Sequence, residues 1–183
     1  EYALFEDLII QKGIDWNENI APDLSVIGDK VLIQKVINNL ISNAISYSPE
    51  GSSIYLTAFA EDGAIEFFLE NTGVHIPDSE IPKLFDAFYR VEHSRNKKTG
   101  GSGLGLYIVK TILEQHQAEY RITNTERGVL FTIQFWKHEA VISTAPHAFL
   151  TTHKKHIHHN SIPKRFSNIK ASIERSGFRY EKK

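Results

Sequence analysis

The sequence predicts an α+β fold: a mixed, mostly antiparallel sheet with helices packed on one face. Three observations predict it. Residues 30–47 place Leu32, Ile33, Val36, Ile37, Leu40, Ile41 and Ala44 at three- and four-residue steps, the spacing of a helix with one buried stripe. Residues 53–60 and 64–70 alternate apolar and polar side chains around Glu61-Asp62-Gly63, a hairpin signal. A second strand pair, 118–124 and 129–136, meets at Glu126-Arg127-Gly128. Hairpin strands interspersed with amphipathic helices build a helix-on-sheet layer.

The elements follow in order. Residues 2–11 read as a short amphipathic helix with apolar Leu4, Leu8 and Ile9. "GIDWNENIAPDLSVIGD" reads as a strand, a turn at Ala21-Pro22 and a second short strand. Asp29 is placed to cap the helix from Lys30, and "SPEGS" ends that helix with Pro and Gly. Ile54, Leu56 and Ala58 share one face of the next strand, and Ile65, Phe67 and Leu69 one face of its partner. "DSEIPKLFDAFYR" suggests short helical pieces, and "VEHSRNKKTGGSG" is a long loop with no apolar periodicity. A helix over 104–116 is expected to bury Leu106, Val109, Ile112 and Leu113.

Composition narrows the classes. The 183 residues are 41% hydrophobic and 23% charged, enough for one sizeable core. No run reaches the ~18 apolar residues of a membrane span. The absence of cysteine excludes disulfides and thiolate chemistry, and the absence of methionine leads to the expectation that the chain is a fragment. Residues 1–137 hold 12 Lys and Arg against 19 Asp and Glu, net −7; residues 138–183 hold 9 against 3, net +6, with six of the nine histidines. That break puts a boundary near Trp136–His138 and makes 138–183 a basic, His-rich extension expected to be poorly ordered. A solvated extension is the favoured reading of "HKKHIHH" and the basic segment after it. Nucleic acid or an anionic surface is the alternative, and nucleic acid is not the expected partner.

Three stretches bear on chemistry. "TGGSGLGLYIVK" puts four glycines within Thr99–Gly105 directly before a helix. It is either an ordinary loop or an anion site, because a helix start offers unpaired N–H groups and glycine lets a phosphate approach. Asn39 and Asn43 share a helix face, which is either solvated or a source of amide oxygen for a hard cation. In "ENTGVHIP", Asn71 has the donor and acceptor needed to read an edge such as adenine's, though the stretch also fits a common turn.

Taken in order, "KVINNLISNAISYSPEG", "ENTGVHIP", "LFDAFYRVE" and "GGSGLGLYIV" resemble the N, G1, F and G2 boxes of the sensor histidine kinase catalytic domain. That domain belongs to the GHKL group of ATPases and kinases, and the wording is most similar to Gram-positive cell-envelope sensors such as the vancomycin-resistance sensor kinases. The resemblance covers about residues 1–137 and implies a Bergerat-type α/β sandwich. It implies a site for ATP and Mg²⁺, with Asn43 as the metal ligand and Asn39 near the phosphates. Asn71 would meet the adenine amino group, Gly73 and Ile76 would line the base pocket, and Tyr47 would flank the nucleotide. Gly101, Ser102, Gly103, Leu104, Gly105 and Leu106 would cradle the phosphates, with residues 91–100 as a lid. Asn39, Arg90 and Arg95 form the expected catalytic set, the two arginines stabilising charge on the γ-phosphate.

Departures from the family pattern are Asn71 for its adenine-binding Asp, His75 for the second G1 glycine, and Ser46 for a basic residue. Lys97 or Lys98 is expected to compensate for the last. Asn39 stands where related hydrolases carry a Glu that activates water, and an amide cannot serve as that base, so a kinase is favoured. None of His75, His93 and His116 resembles the family's phosphoacceptor. The implied acceptor therefore lies on an upstream dimerisation domain, in a homodimeric parent anchored in the plasma membrane with this domain cytoplasmic, and passes phosphate to a response regulator. The alternatives are a GHKL-type serine kinase of the anti-sigma class, or a degenerate nucleotide-binding module.

Overall fold

The computed structural model describes residues 2–91, 102–136 and 179–181. Helix α1 (Tyr2–Lys12) leads into strands β1 (Asp15–Ile20) and β2 (Ser25–Ile27), then helix α2 (Lys30–Tyr47). Strands β3 (Ser53–Glu61) and β4 (Ala64–Thr72) follow, then helix α3 (Gly105–Gln115) and strands β5 (Glu119–Asn124) and β6 (Gly128–Trp136). Five strands form one sheet in the order β1-β3-β4-β6-β5. β1 and β3 are parallel and the other pairs antiparallel, so the sheet is mixed as the sequence predicts.

Local chemistry explains these elements. The Asp29 carboxylate accepts from the N–H groups of Val31 at 2.8 Å and Leu32 at 3.0 Å, satisfying two of the donors that a helix start leaves open. At the far end of α2, the Lys12 ammonium donates to the carbonyls of Ile45, Ser46 and Ser48 at 2.8–2.9 Å, a cation where the helix dipole is negative. Asp62 and Gly63 take φ of 48° and 79°, the left-handed pair that turns a two-residue hairpin between β3 and β4.

The core lies between the helices and one face of the sheet. Ile33, Val36, Leu40, Ile41, Ala44 and Ile45 are buried on α2, against Ile54 and Leu56 of β3, Phe67 and Leu69 of β4, and Phe131 and Ile133 of β6. Fully buried side chains of this size contribute roughly 1.5–3 kcal/mol each. Leu32 and Ile37, expected in the stripe, are only half-buried at its margins, whereas Ile45 completes it.

Two expectations are corrected. Residues 78–90 form one short 3₁₀ turn, Ile81–Lys83, among irregular turns, since Pro82 supplies no N–H and fits only a first turn. Leu106 is half-buried instead of joining Val109, Ile112 and Leu113, because it faces the cleft described below. In the C-terminal extension only Arg179–Glu181 is described, as strand β7, which pairs parallel with β2 in a separate two-stranded sheet.

Candidate functional site

A cleft of about 740 Å³ opens between α2, the sheet and the start of α3. Its floor is apolar, made by Leu40 and Ala44 of α2, Leu69 of β4, Ile122 of β5, and Val129 and Phe131 of β6. One polar residue interrupts it. Asn71 on β4 is 8% exposed and lines the cleft, and its side-chain amide makes no hydrogen bond among the described residues.

The polar wall comes from α2 and α3. Asn39 and Asn43, one turn apart, face Gly105 at the start of α3: a methyl at Gly105 would lie 3.4 Å from Asn39 Oδ1 and 3.8 Å from Asn43 Nδ2. The Asn39 side-chain Nδ2 donates to the carbonyl of Lys35 at 3.0 Å, which leaves Oδ1 for the cleft. The first turn of α3 has no side-chain cap and no acidic residue, so its N–H groups and positive dipole end stay available to an anion. Ser102, Gly103, Leu104 and Leu106 complete this wall, and Tyr47 and Arg90 line the cleft as well.

Gly103 has a second duty. Its φ is +73°, and a Cβ there would sit 2.8 Å from the backbone carbon of Phe88, whose N–H donates to Gly103 O at 3.0 Å. Phe88 itself adopts φ +66° and is 73% exposed. The loop 84–91 is thus laced to the approach to α3, while Phe85 anchors it in the core, edge-on to Tyr120 at 5.0 Å and to Phe131 at 6.2 Å.

Of the residues singled out from the sequence, Asn39, Asn43, Tyr47, Asn71, Ile76, Arg90, Ser102, Gly103, Leu104, Gly105 and Leu106 meet in this cleft. Gly73 does not line it. At φ +78° it turns the chain, packs against Pro49 and donates its N–H to Arg127 O at 2.9 Å. Arg95, Lys97, Lys98 and Gly101 lie outside the described residues.

Sequence reasoning missed the struts beneath the site. The Asn124 amide brackets Ile76, accepting from its N–H at 2.9 Å and donating to its carbonyl at 2.7 Å. His75 Nε2 donates to Thr125 O at 2.8 Å, so this side chain ties the loop to the β5–β6 turn. Gly128 meets β4 so closely that a Cβ would fall 2.0 Å from Asn71 O. On the opposite sheet face, Arg127 pairs with buried Glu70 and lies 4.7 Å from the Tyr55 ring, and Thr125 donates to Glu70 at 2.7 Å. None of these contacts has a local signature, because each joins segments 48 to 72 residues apart.

The perturbed titratable groups lie away from the cleft. Burial, helped by the Glu114 carboxylate, pushes the Tyr120 hydroxyl up to about 12. Burial first, and then the charges of Glu61 and Glu119, raises the Glu66 carboxyl, against a lowering hydrogen bond from Gln134. No group of three or more His, Cys, Asp or Glu able to hold a metal occurs among the described residues. Asn39 and Asn43 carry amide oxygens on the cleft wall, a donor type that hard cations take.

Residues 28–139 match the family described as histidine kinase-, DNA gyrase B- and HSP90-like ATPases. The chain belongs to this family. Among relatives of this ATPase domain, the sensor histidine kinase CusS of Escherichia coli O157:H7 is 36% identical over 132 residues, 72% of this chain and 27% of CusS. The sensor protein VanSB of Enterococcus faecalis is 43% identical over 108 residues, 58% of this chain and 24% of VanSB. The chain thus spans about a quarter of the length of these relatives. The nucleotide-free catalytic domain of histidine kinase ThkA superposes with a TM-score of 0.65 at 30% identity, covering 74% of this chain and 87% of that domain. The ATPase-family fold is therefore the α/β sandwich expected from the sequence. No helix among the described residues is long and apolar enough to cross a membrane.

Proposed function

We propose that this chain is the ATP-binding catalytic domain of a sensor histidine kinase, transferring the γ-phosphate of Mg-ATP to a histidine on a separate dimerising helical domain. The observation that carries the reading is the convergence of Asn39, Asn43 and Gly105 at the uncapped start of α3, beside an apolar cleft that ends in Asn71. In this reading the purine lies on Leu69, Ile122 and Phe131, with its polar edge at Asn71. The phosphates meet the N–H groups of the first turn of α3. Bound with the nucleotide, Mg²⁺ would neutralise charge on the phosphate oxygens; Asn43 would offer it an amide oxygen.

Transfer proceeds as an attack of the acceptor imidazole nitrogen on the γ-phosphorus while the bond to the β,γ-bridging oxygen breaks and ADP leaves. What the chain contributes is position and charge, with Arg90 on the cleft wall and Arg95, expected from the sequence, as the groups to stabilise the developing negative charge. Asn39 cannot abstract a proton from water at neutral pH, so the domain holds ATP without consuming it. Release of phosphate to a response regulator is the onward step, a role consistent with the ThkA kinase having been solved in complex with the response regulator TrrA.

Calorimetric titration of the chain with a non-hydrolysable ATP analogue, with and without Mg²⁺, tests the site. Magnesium-dependent binding that Asn43→Asp weakens is expected, together with phosphotransfer to an added histidine domain and hydrolysis below about 1 s⁻¹. A folded chain that binds no nucleotide would overturn the proposal.

A further inference from the structure

Among the described residues of the cleft floor, Asn71 is the one side chain that can be both donor and acceptor, and its surroundings leave both functions open. It is 92% buried by its exposure of 8%, yet its amide has no hydrogen-bond partner among the described residues. The amide opens onto the cleft, where a ligand can pair with both its donor and its acceptor. Its neighbours across the sheet are apolar: Ile54 on β3 and Val129 on β6. Among the described residues, no hydrogen bond fixes which end of the amide faces the cavity.

We infer that Asn71 makes the cleft a reader of purines in general, accepting 6-oxopurine nucleoside triphosphates alongside 6-aminopurine ones. The inference rests on the nucleotide-site reading above. With the base in one pose, the Asn71 oxygen accepts from the adenine 6-amino group while its NH₂ donates to N1. Rotation of the amide by half a turn presents NH₂ to a 6-oxo group and oxygen to N1–H, so hypoxanthine or guanine makes the same two bonds. A carboxylate at this position has no donor to present. It accepts from the 6-amino group but faces a 6-oxo group as two acceptors in contact, and a site built on such a polar contact rejects the wrong partner strongly. The apolar floor supplies stacking area to every purine alike.

The test is binding of Mg-ATP and Mg-ITP to the full 183-residue chain and to Asn71→Asp, read by calorimetry, with circular dichroism to confirm folding. Inosine is the cleaner probe because it differs from adenosine only at the 6-position and N1. The wild-type chain is expected to bind the two triphosphates within about tenfold, and Asn71→Asp to widen the preference for ATP by about 100-fold. A wild-type chain that binds ATP but rejects ITP by 100-fold or more overturns the inference and leaves the nucleotide site standing. The same holds if Asn71→Asp binds both as wild type does. Binding of neither triphosphate by folded wild type overturns the site itself. The wild-type ratio decides the matter even if the variant does not fold.

Discussion

Two glycines illustrate how differently the same substitution acts at different points of the cleft. A methyl on Gly128 would sit 2.0 Å from the Asn71 carbonyl oxygen, a backbone atom held in the β4–β6 ladder that cannot swing aside. Gly128→Ala is therefore expected to cost about 2–3 kcal/mol by urea denaturation and to weaken nucleotide binding, because β6 must move off the end of β4 that carries Asn71. On Gly105 the methyl meets only side-chain atoms, at 3.4 Å or more, and alanine is the better helix former. Gly105→Ala should keep or slightly raise stability while lowering affinity for the triphosphate, since the methyl fills space between the asparagines and the start of α3. Equal losses of stability in the two variants would contradict this division. Glu66 gives a prediction of pH dependence. Its folded pKa lies above the usual 4.5 because burial and the neighbouring Glu61 and Glu119 penalise the charge. The native state thus holds this proton more tightly than the unfolded chain, and stability falls as pH rises above about 4.5 through the folded pKa. Glu66→Gln should stabilise the chain at pH 7.5 and lose that advantage near pH 4; an equal gain at both would remove the cause assigned here.

At the scale of the element, α2 is held at both ends by single charged residues. Asp29 caps its start and Lys12 gathers three carbonyls at its end. Eighteen residues at 1.5 Å each separate the two by about 27 Å, too far for direct coupling. Asp29→Ala should cost about 1 kcal/mol and Lys12→Met about 1–2 kcal/mol. The double variant should lose their sum within about 0.5 kcal/mol. Function separates the ends: the Lys12 contacts flank Tyr47, so Lys12→Met should also reduce nucleotide affinity severalfold, whereas Asp29→Ala should not. The helix was legible in the sequence because its periodicity and cap are local, and so were the hairpin at Asp62-Gly63 and the glycine-led start of α3. The loop 84–91 was not. Its shape follows from Phe85 packing on Tyr120 and Phe131 and from the close pass of Gly103 by Phe88, neither of which has a sequence period. His75 shows the same limit: it reads as a missing glycine in the sequence, and in the fold it is a tie to Thr125.

For the whole molecule, the charge break near Trp136–His138 falls directly after β6, the last strand of the main sheet. Among the described residues, all five strands of the main sheet and all three α-helices lie before it. Each strand pairing was hidden from a linear reading except the two hairpins, yet the ordered boxes still brought eleven of the chosen residues to one cleft, since α2, β4 and α3 each carry one box on a rigid element. Beyond the boundary, the described contact is the three-residue pairing of β7 with β2. β2 does not depend on that pairing alone, because Leu24 and Val26 are buried in the core formed by the first 136 residues. A chain ending at Lys137 should therefore unfold in one cooperative step, with a loss of no more than about 2 kcal/mol, small against the 5–15 kcal/mol of an ordinary domain. At 100 times its dissociation constant, Mg-ATP should stabilise the truncated and full chains alike by about 2.7 kcal/mol, because the described residues that line the cleft all lie between Asn39 and Phe131. The truncated chain carries net −7 and the full chain −1, so weak retention on DNA at low salt should appear only with the full chain and vanish at about 0.15 M salt. Retention that survives that salt would make the extension a binding element. A truncated chain that fails to fold would instead move the boundary, and make the β2–β7 pair part of what holds the domain together.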